Sequence, residues 1–494
     1  MGAAVLHALS FPKFDLFFLG FVFLVPLFYG LETQKVRNAF WFFYRFSFLS
    51  YLFILYWIPN VMVYYGGMDR TVSILGIVIL AAFLAVFTGA AGSFIKGALK
   101  RGNLSLLLIP VIWVSKELIV EKIFGGFPWC SAGYSQYRNI YFVQPAEFGG
   151  IHLVTFMVVF FNVLLYLLLR DRDKRLLAVL VICVVGVYTT GYFLYRSTGS
   201  QIRDLEYHTV GILQPNTRND MQFDWKQKNE KLEEFFADSR ALMERGAEFV
   251  IWPEFTVSVY PLQNKFHYKM FESFVEENVP VMAGFTDVQG SKGIYNSLMF
   301  FTKGGFQKYD KIHLTPFGEY ILFREVLFFV KRITDEISDF TPGKEVKNLE
   351  WDGHRLSTPI CYELIFPELT REFIAKGGEV LIITSNDSWY GDTSAPYQLL
   401  AMSTFRTIEN RRYILRSTTN GISAVIAPTG EILYRSPFNA KDVFTAKFQY
   451  INRQTVFTRF GYLFPYACAL FLLLYLVRQK FLEVRKPRGA GTQL

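Results

Sequence analysis

Apolar positions are distributed unevenly along this 494-residue chain. Nearly unbroken apolar runs fill the first two hundred residues and return close to the C-terminus, whereas residues 203–450 mix charge, turn residues and short apolar stretches. A helix needs about twenty mostly apolar residues to cross hydrocarbon. Runs of that length fall near 15–31, 39–60, 72–95, 104–122, 151–169, 176–195 and 456–477. Met1–Ser10 is apolar but too short to cross unaided, and Pro12 ends it, so it reads as the stub of a further helix. Its start lacks the basic stretch of a cleaved signal peptide.

Inside the mixed block the period changes. Short β-rich runs at His208–Leu213, Phe249–Trp252, Val279–Phe285, Asn296–Phe301, Val380–Thr384 and Ser423–Ala427 alternate with helix-like segments, which predicts an α/β domain. Asp224 is placed to N-cap a helix through Arg245, where Leu232, Phe235, Phe236, Leu242 and Met243 recur at helical spacing. The expected organisation is a transmembrane helical domain over 1–195, an α/β catalytic domain over 196–455, a transmembrane helix over 456–477 and a basic tail over 478–494.

Composition agrees with that division. A content of 52% hydrophobic and 18% aromatic residues is too apolar for a purely soluble protein. The formal charge of +9 does not point to nucleic acid, because Lys and Arg sit between the apolar runs and in the tail. Lys35 and Arg37, then Lys96, Lys100 and Arg101, then Arg170, Arg172, Lys174 and Arg175 occupy every second loop. Basic loops stay on the cytoplasmic side, so residues 61–71, 123–150 and 196–455 are expected on the opposite face, with the soluble domain extracytoplasmic. Of the four cysteines, only Cys361 lies in the soluble block, which excludes a disulfide framework there. No CxxC pair or HExxH motif occurs and the six histidines are scattered, so neither a metal site nor a cofactor is expected.

Three polar residues end apolar runs in the soluble block: Glu254 in Ile-Trp-Pro-Glu-Phe, Lys311 in Lys-Tyr-Asp-Lys-Ile-His and Cys361 in Thr-Pro-Ile-Cys-Tyr-Glu. Singly, each has a bland explanation as a capping acid, a solvated lysine or a core thiol. Together, their order and local wording resemble the nitrilase superfamily, whose Glu, Lys and Cys triad sits at strand ends of an α-β-β-α sandwich. The phrase Leu-Thr-Pro-Phe-Gly-Glu-Tyr at 314–320 is similar to the membrane-bound apolipoprotein N-acyltransferase branch. So are Gly126-Phe127-Pro128-Trp129, Gly133-Tyr134-Ser135-Gln136, Asn386-Asp387-Ser388-Trp389 and Glu409-Asn410-Arg411-Arg412, and the resemblance spans nearly the full chain.

The chemistry of the three residue types is coherent on its own terms. A thiolate is the nucleophile, so Cys361 needs a base or cation nearby. Glu254 is suited to take the thiol proton from a poorly hydrated site. Lys311 and the backbone amide of Tyr362 are suited to stabilise an oxyanion. The resemblance further implies that Glu319 and Glu363 belong to the site, that Tyr362 lies beside the nucleophile and that Trp225 belongs to a substrate-gating loop. Asn296 either holds Lys311 or a backbone group by hydrogen bonds or serves as a plain turn residue.

By resemblance, the expected reaction moves a fatty acyl group from a phospholipid, with phosphatidylethanolamine the expected donor, through a Cys361 thioester. The acceptor is the α-amino group of a diacylated apolipoprotein, at the periplasmic face of a bacterial inner membrane. Loops around 217–226, 317–330 and 388–396 are expected to close over the acyl chain, with Val326-Leu327-Phe328-Phe329-Val330 touching the bilayer. Two other readings stay open: a membrane-tethered amidase or nitrilase that uses water, and a non-catalytic scaffold that binds lipid or lipoprotein.

Overall fold

The computed structural model describes residues 1–64, 67–100, 103–217, 224–255, 257, 259–316, 318–320 and 340–485. The expected gating stretch at 218–223, nearly all of 317–330 with its Phe-rich arm, and the tail beyond Arg485 lie outside them. The membrane half holds α1 (Gly2–Leu9), α2 (Val25–Glu32), α3 (Val36–Ile54), α4 (Ile58–Tyr64), α5 (Arg70–Leu99), α6 (Leu108–Lys122), α7 (Ala146–Asp171) and α8 (Lys174–Ile202). The soluble half runs β1 (His208–Gln214), α9 (Trp225–Glu244), β2 (Phe249–Glu254), α10 (Lys265–Glu276), β3 (Val281–Val288), β4 (Ile294–Thr302), β5 (Gly305–Asp310), β6 (Leu349–Trp351) and β7 (His354–Ser357). It continues with α11 (Pro367–Ala375), β8 (Val380–Ser385), α12 (Ala395–Asn410), β9 (Ile414–Thr418), β10 (Ala424–Ile426), β11 (Ile432–Arg435) and β12 (Asp442–Phe448). The short α13 (Val456–Phe460) and the long α14 (Leu463–Arg485) follow.

Among the described residues, α5, α7, α8 and Leu463–Leu482 of α14 are long and apolar enough to cross a membrane, and α3 with α4, bent by 49°, would make one broken span. Three of the expected spans differ. Residues 15–31 form a 3-10 turn, Phe17–Phe21, followed by the eight-residue α2. Residues 104–122 yield the 15-residue α6, about 22 Å long against about 30 Å of hydrocarbon. Hydropathy counts apolar residues but does not see what surrounds them. Here α6 is enclosed by protein and buries Lys116, Glu117 and Glu121, with Glu117 accepting from Trp113 Nε1 (3.0 Å), Ala132 N (3.1 Å) and Thr155 Oγ1 (3.1 Å). The last run starts at Leu463, not 456, because Gly461 adopts a left-handed φ of +56° between α13 and α14.

The soluble half consists of two six-stranded sheets, ordered β12-β1-β2-β3-β4-β5 and β11-β10-β9-β8-β7-β6. Strands β1, β2 and β3 run parallel and are buried on both faces, which is why they read as unbroken apolar runs. Period-two alternation sorts their side chains. Val210, Ile212, Phe249, Ile251, Met282, Leu298 and Phe300 face the core shared with the second sheet. Val250, Trp252, Val281, Phe285 and Phe301 pack outward on α9 and α10 through Leu232, Phe235, Phe236, Phe271 and Phe274. Each such side chain stabilises the fold by about 1.5–3 kcal/mol. The second sheet is covered in the same way by α11 and α12 through Ile374 and Leu400, completing an α-β-β-α sandwich. The cap on α9 is a full capping box: Asp224 accepts from Gln227 N (2.8 Å), and the Gln227 side chain accepts from Asp224 N (2.9 Å).

Helix α12 joins the two halves and is buried along its whole length. Arg406 Nη2 donates to Tyr134 of the membrane half (3.0 Å), Glu409 accepts from Ile151 N (2.8 Å), and Arg411 Nε pairs with Glu147 at 2.6 Å. Two of the phrases that carried the resemblance, 133–136 and 409–412, thus meet at this seam.

Candidate active site

Glu254 ends β2 and is buried. The next residue, Phe255, takes a left-handed φ of +49°, and the β2–β3 register shifts between Ile251 and Glu254. Gly284 allows this approach, because a Cβ there would lie 2.8 Å from Glu254 Cα. Lys311 leaves the end of β5 and is likewise buried, with its backbone N–H on Asn296 O (2.8 Å). Its Nζ lies 3.4 Å from Glu254 Oε1 and 3.0 Å from Glu319 Oε1. Asn296 Nδ2 donates to the same two oxygens, at 2.7 and 2.6 Å. The remaining oxygens are fixed by backbone: Asn386 N donates to Glu254 Oε2 (2.9 Å) and Thr315 N to Glu319 Oε2 (2.7 Å). One ammonium and one carboxamide therefore bridge two carboxylates. Asn296 is a bridging ligand here, not a turn residue.

Cys361 stands where the chain turns from extended backbone, with Ile360 bridged to Thr384, into the 3-10 turn Cys361–Ile365. Its φ of +49° is strained for a residue with a side chain. Such a conformation costs about 1–3 kcal/mol and persists where the surroundings over-determine it. Ser385 at the end of β8 does so from one side: its Oγ lies 3.2 Å from Cys361 Sγ and 2.6 Å from Asp387 Oδ1. Arg416 Nη2 grips both oxygens of Asp387, at 3.0 and 2.8 Å. Asp387 also lies hard against Gly421, where a Cβ would come within 2.1 Å of Oδ2.

Glu363 holds the other side. Its carboxylate accepts from Ile360 N (2.8 Å), Ile312 N (2.7 Å), His313 N (3.0 Å) and the Tyr309 hydroxyl (2.8 Å). It thus staples the cysteine turn to the segment leaving Lys311. Burial pushes the Glu363 carboxyl up to about 7, against the pull of the backbone N–H groups and of Lys311.

Burial works against the charge on Lys311, but the carboxylates of Glu254 and Glu319, with Cys361, outweigh it and hold the ammonium above its ordinary value. The thiol of Cys361 is raised, chiefly by burial and next by the negative charge of Glu254, with Lys311 and Ser385 opposing. Both directions favour a protonated thiol beside a charged lysine.

Tyr362 turns its ring away from this cluster, toward the membrane half, and stacks near Trp129 at 6.5 Å. Trp129 contacts Trp57 (4.8 Å), and Trp57 contacts Tyr390 (5.3 Å). Gln398 on α12 fixes both indoles: Oε1 accepts from Trp129 Nε1 (2.6 Å) and Trp57 Nε1 (3.1 Å), while Nε2 donates to Ile54 O and Ser394 Oγ, both at 3.1 Å. Because an indole nitrogen only donates, this orientation of the carboxamide is the one that satisfies all four groups. The expected gating stretch 388–396 is tied to the same corner, where Ser394 N donates to Tyr56. Trp225 stands apart at the first turn of α9, 53% exposed, with ring contacts to Phe266 and His267 among the described residues.

Six of the eight expected site residues thus gather at the strand ends: Glu254, Asn296, Lys311, Glu319, Cys361 and, as a staple, Glu363. Ser385, Arg416, Gln398 and Trp57 carried no readable signal. Asp387, Trp129 and the 409–412 run were visible only as family phrases.

An α-β-β-α sandwich with a strained cysteine, a buried glutamate and a buried lysine at its strand ends, seated on membrane-spanning helices, defines a membrane-anchored member of the nitrilase class. Residues 209–455 match the carbon-nitrogen hydrolase family model, and residues 3–164 match that of the apolipoprotein N-acyltransferase N-terminal domain. The chain therefore belongs to the apolipoprotein N-acyltransferase family. Relatives of that name include those of Geobacter metallireducens, 28% identical over 94% of this chain and 92% of the relative, and of Methylococcus capsulatus, 31% identical over 82% and 80%. Similar solved structures include an amidase from Nesterenkonia sp., 18% identical, covering 49% of this chain and 90% of its own with a TM-score of 0.38. A nitrilase-superfamily member from Saccharomyces cerevisiae is 17% identical, with the same coverage and the same TM-score.

Proposed function

We propose that the chain transfers a fatty acyl group from a phospholipid, with phosphatidylethanolamine as donor, to the α-amino group of the diacylglyceryl-cysteine of apolipoproteins. This is the final step of lipoprotein maturation, taking place in the bacterial inner membrane with the catalytic domain on the periplasmic side. The observation that carries the reading is the buried Glu254–Lys311–Glu319–Asn296 cluster beside Cys361. It sits on a domain clamped to membrane helices.

In the first half-reaction Glu254 takes the thiol proton and the thiolate attacks the ester carbonyl. Lys311 and the Tyr362 amide receive the oxyanion. Collapse expels the lysophospholipid alkoxide, which takes the proton from Glu254 and leaves a thioester. In the second half-reaction the lipoprotein amine attacks that thioester, Glu254 accepts the amine proton, and the proton returns to the departing thiolate. Lys311 never needs to titrate, consistent with its raised value. Glu319 and Asn296 orient Lys311 and Glu254, and the Trp129–Trp57–Tyr390 wall keeps water from the acyl chain. Trp225 is assigned, by the family resemblance, to a substrate-gating loop.

Intact-protein mass spectrometry after incubation with phosphatidylethanolamine tests the reading. A fatty-acyl adduct on the wild type, absent from Cys361→Ala and discharged onto an added diacylated lipopeptide, is expected. An adduct discharged to water alone would favour a hydrolase.

A further inference from the structure

A second site lies at the opposite end of α12. There a cavity of about 360 Å³ has a mostly apolar lining, including Ile202, Leu205 and Ile451, with Gln201, Arg411 and Arg453 among its polar members. Its height relative to the bilayer follows from α8. That helix exposes nearly all of its apolar window, and Leu176–Tyr195 is an uncharged run of 20 residues ending at Arg196. At 1.5 Å per residue this spans about 30 Å, the hydrocarbon thickness. Thr198 and Gln201, one or two turns further on, stand at the level of lipid headgroups. The chain is pinned there, since Gln449 Nε2 donates to Ile202 O (2.8 Å) and Leu205 O (2.7 Å).

The charge at this cavity is out of balance. Arg411 pairs with Glu147 at 2.6 Å and also donates to Gln144 (2.8 Å) and Pro428 O (3.0 Å). Arg453 reaches the same Glu147 only at 3.9 Å, and its Nη1 donates to Gln201. Arg412, directly behind, donates only to carbonyl oxygens, those of Gly378, Asn410, Arg411 and Arg453. Two guanidinium groups, those of Arg411 and Arg453, thus share the carboxylate of Glu147. Burial, partly offset by Glu379, pulls Arg412 down to about 9, a sign of how poorly this corner compensates its cations. The donors of Arg411 and Arg412 are taken up by protein acceptors, so the half-exposed Arg453 is the guanidinium left to face the cavity, and a guanidinium fork matches a phosphate.

We infer that this cavity is a phosphate site, filled by the phosphodiester headgroup of a phospholipid whose chains lie along α8, and distinct from the donor site at Cys361. Arg453, 41% exposed, is the cation free to re-aim toward it. The identity of the lipid as a non-reacting one rests on the reading that the donor is deacylated at Cys361.

Full-length protein in detergent, stripped of lipid, tests the site through hydrogen exchange of segments 198–205 and 449–453. Phosphatidylglycerol is expected to slow exchange there by about tenfold in the wild type and Arg453→Lys, and not in Arg453→Glu. Diacylglycerol with the same chains is expected to leave it unchanged. Equal protection by diacylglycerol, or full protection in Arg453→Glu, would overturn the proposal. Protection by inorganic phosphate alone would support the phosphate chemistry and overturn the lipid source. Cys361 acylation, followed by mass in parallel samples given phosphatidylethanolamine, is expected to persist in Arg453→Glu. Its absence from the wild type would sink the acyltransfer reading without altering the exchange result.

Discussion

The two charged corners at either end of α12 are built on opposite balances. At Cys361 one ammonium, Lys311, stands between two carboxylates, Glu254 and Glu319. At the seam with the membrane half, Arg411 and Arg453 face one carboxylate, Glu147. On the proposed function, the first corner offers a carboxylate to take a proton and a cation that stays charged, so negative charge would pass from sulfur to carbonyl oxygen without bulk water. The second has no acid to spare for proton transfer and holds position. Burial is common to both; the sign of the surplus separates a reacting corner from an anchoring one.

The largest expected effect breaks the reacting corner outright. Cys361→Ala should abolish both the acyl adduct and lipopeptide acylation, while Cys130, Cys183 and Cys468 tolerate Ala, as read by intact mass and product assay. Next, Lys311→Ala and Glu254→Gln should each lower transfer by about 10²–10³-fold or more, the scale of losing one preorganised electrostatic contact.

Glu254→Gln also sharpens the comparison through pH. The charge of Glu254 helps hold the thiol up, so removing it lowers the thiol pKa and enlarges the thiolate fraction at any pH below it. Iodoacetamide should then label Cys361 faster in Glu254→Gln than in the wild type, with the labelling profile shifted to lower pH even as transfer is lost. Slower labelling at every pH would mean that Glu254 assists ionisation more than its charge opposes it.

The anchoring corner should respond in stability and not in chemistry. Arg411→Ala leaves Glu147 buried without its partner, which should cost about 3–5 kcal/mol, read as a lowered unfolding midpoint in detergent with acylation retained at permissive temperature. The smallest effect expected is from Gln398→Leu, which strands the indole N–H groups of Trp57 and Trp129 at a cost of about 1–3 kcal/mol. Thermal unfolding followed by tryptophan fluorescence would register it.

Much of this architecture is readable from local pattern. Asp224 with Gln227 announces a helix start because a capping box is closed within four residues. The runs around 208–213, 249–252 and 380–384 announce buried strands because they are apolar over most of their length. The types and order of Glu254, Lys311 and Cys361 are likewise visible, since the family phrases around them are contiguous. Strands β5, β6, β7, β9, β11 and β12 escaped, and of these β6, β7 and β11 are too brief and too mixed to show a period. The run expected as one span at 15–31 is instead a 3-10 turn and a short helix, and that at 104–122 a 15-residue helix packed largely in protein, which hydropathy cannot tell from one wrapped by lipid.

What the sequence determined by itself is the division into membrane and soluble halves and the chemistry each half can support, because hydropathy and residue type are properties of single positions and their near neighbours. Only the tertiary structure decided that Asn296 bridges Glu254 and Glu319, that Glu363 is a staple and not a free acid, that Asp387 is held by Arg416 behind the thiol, and that Gln398 joins two tryptophans of the membrane half. Most of these contacts link residues tens to hundreds of positions apart. Their energies depend on burial and on angle, neither of which exists until the chain has folded.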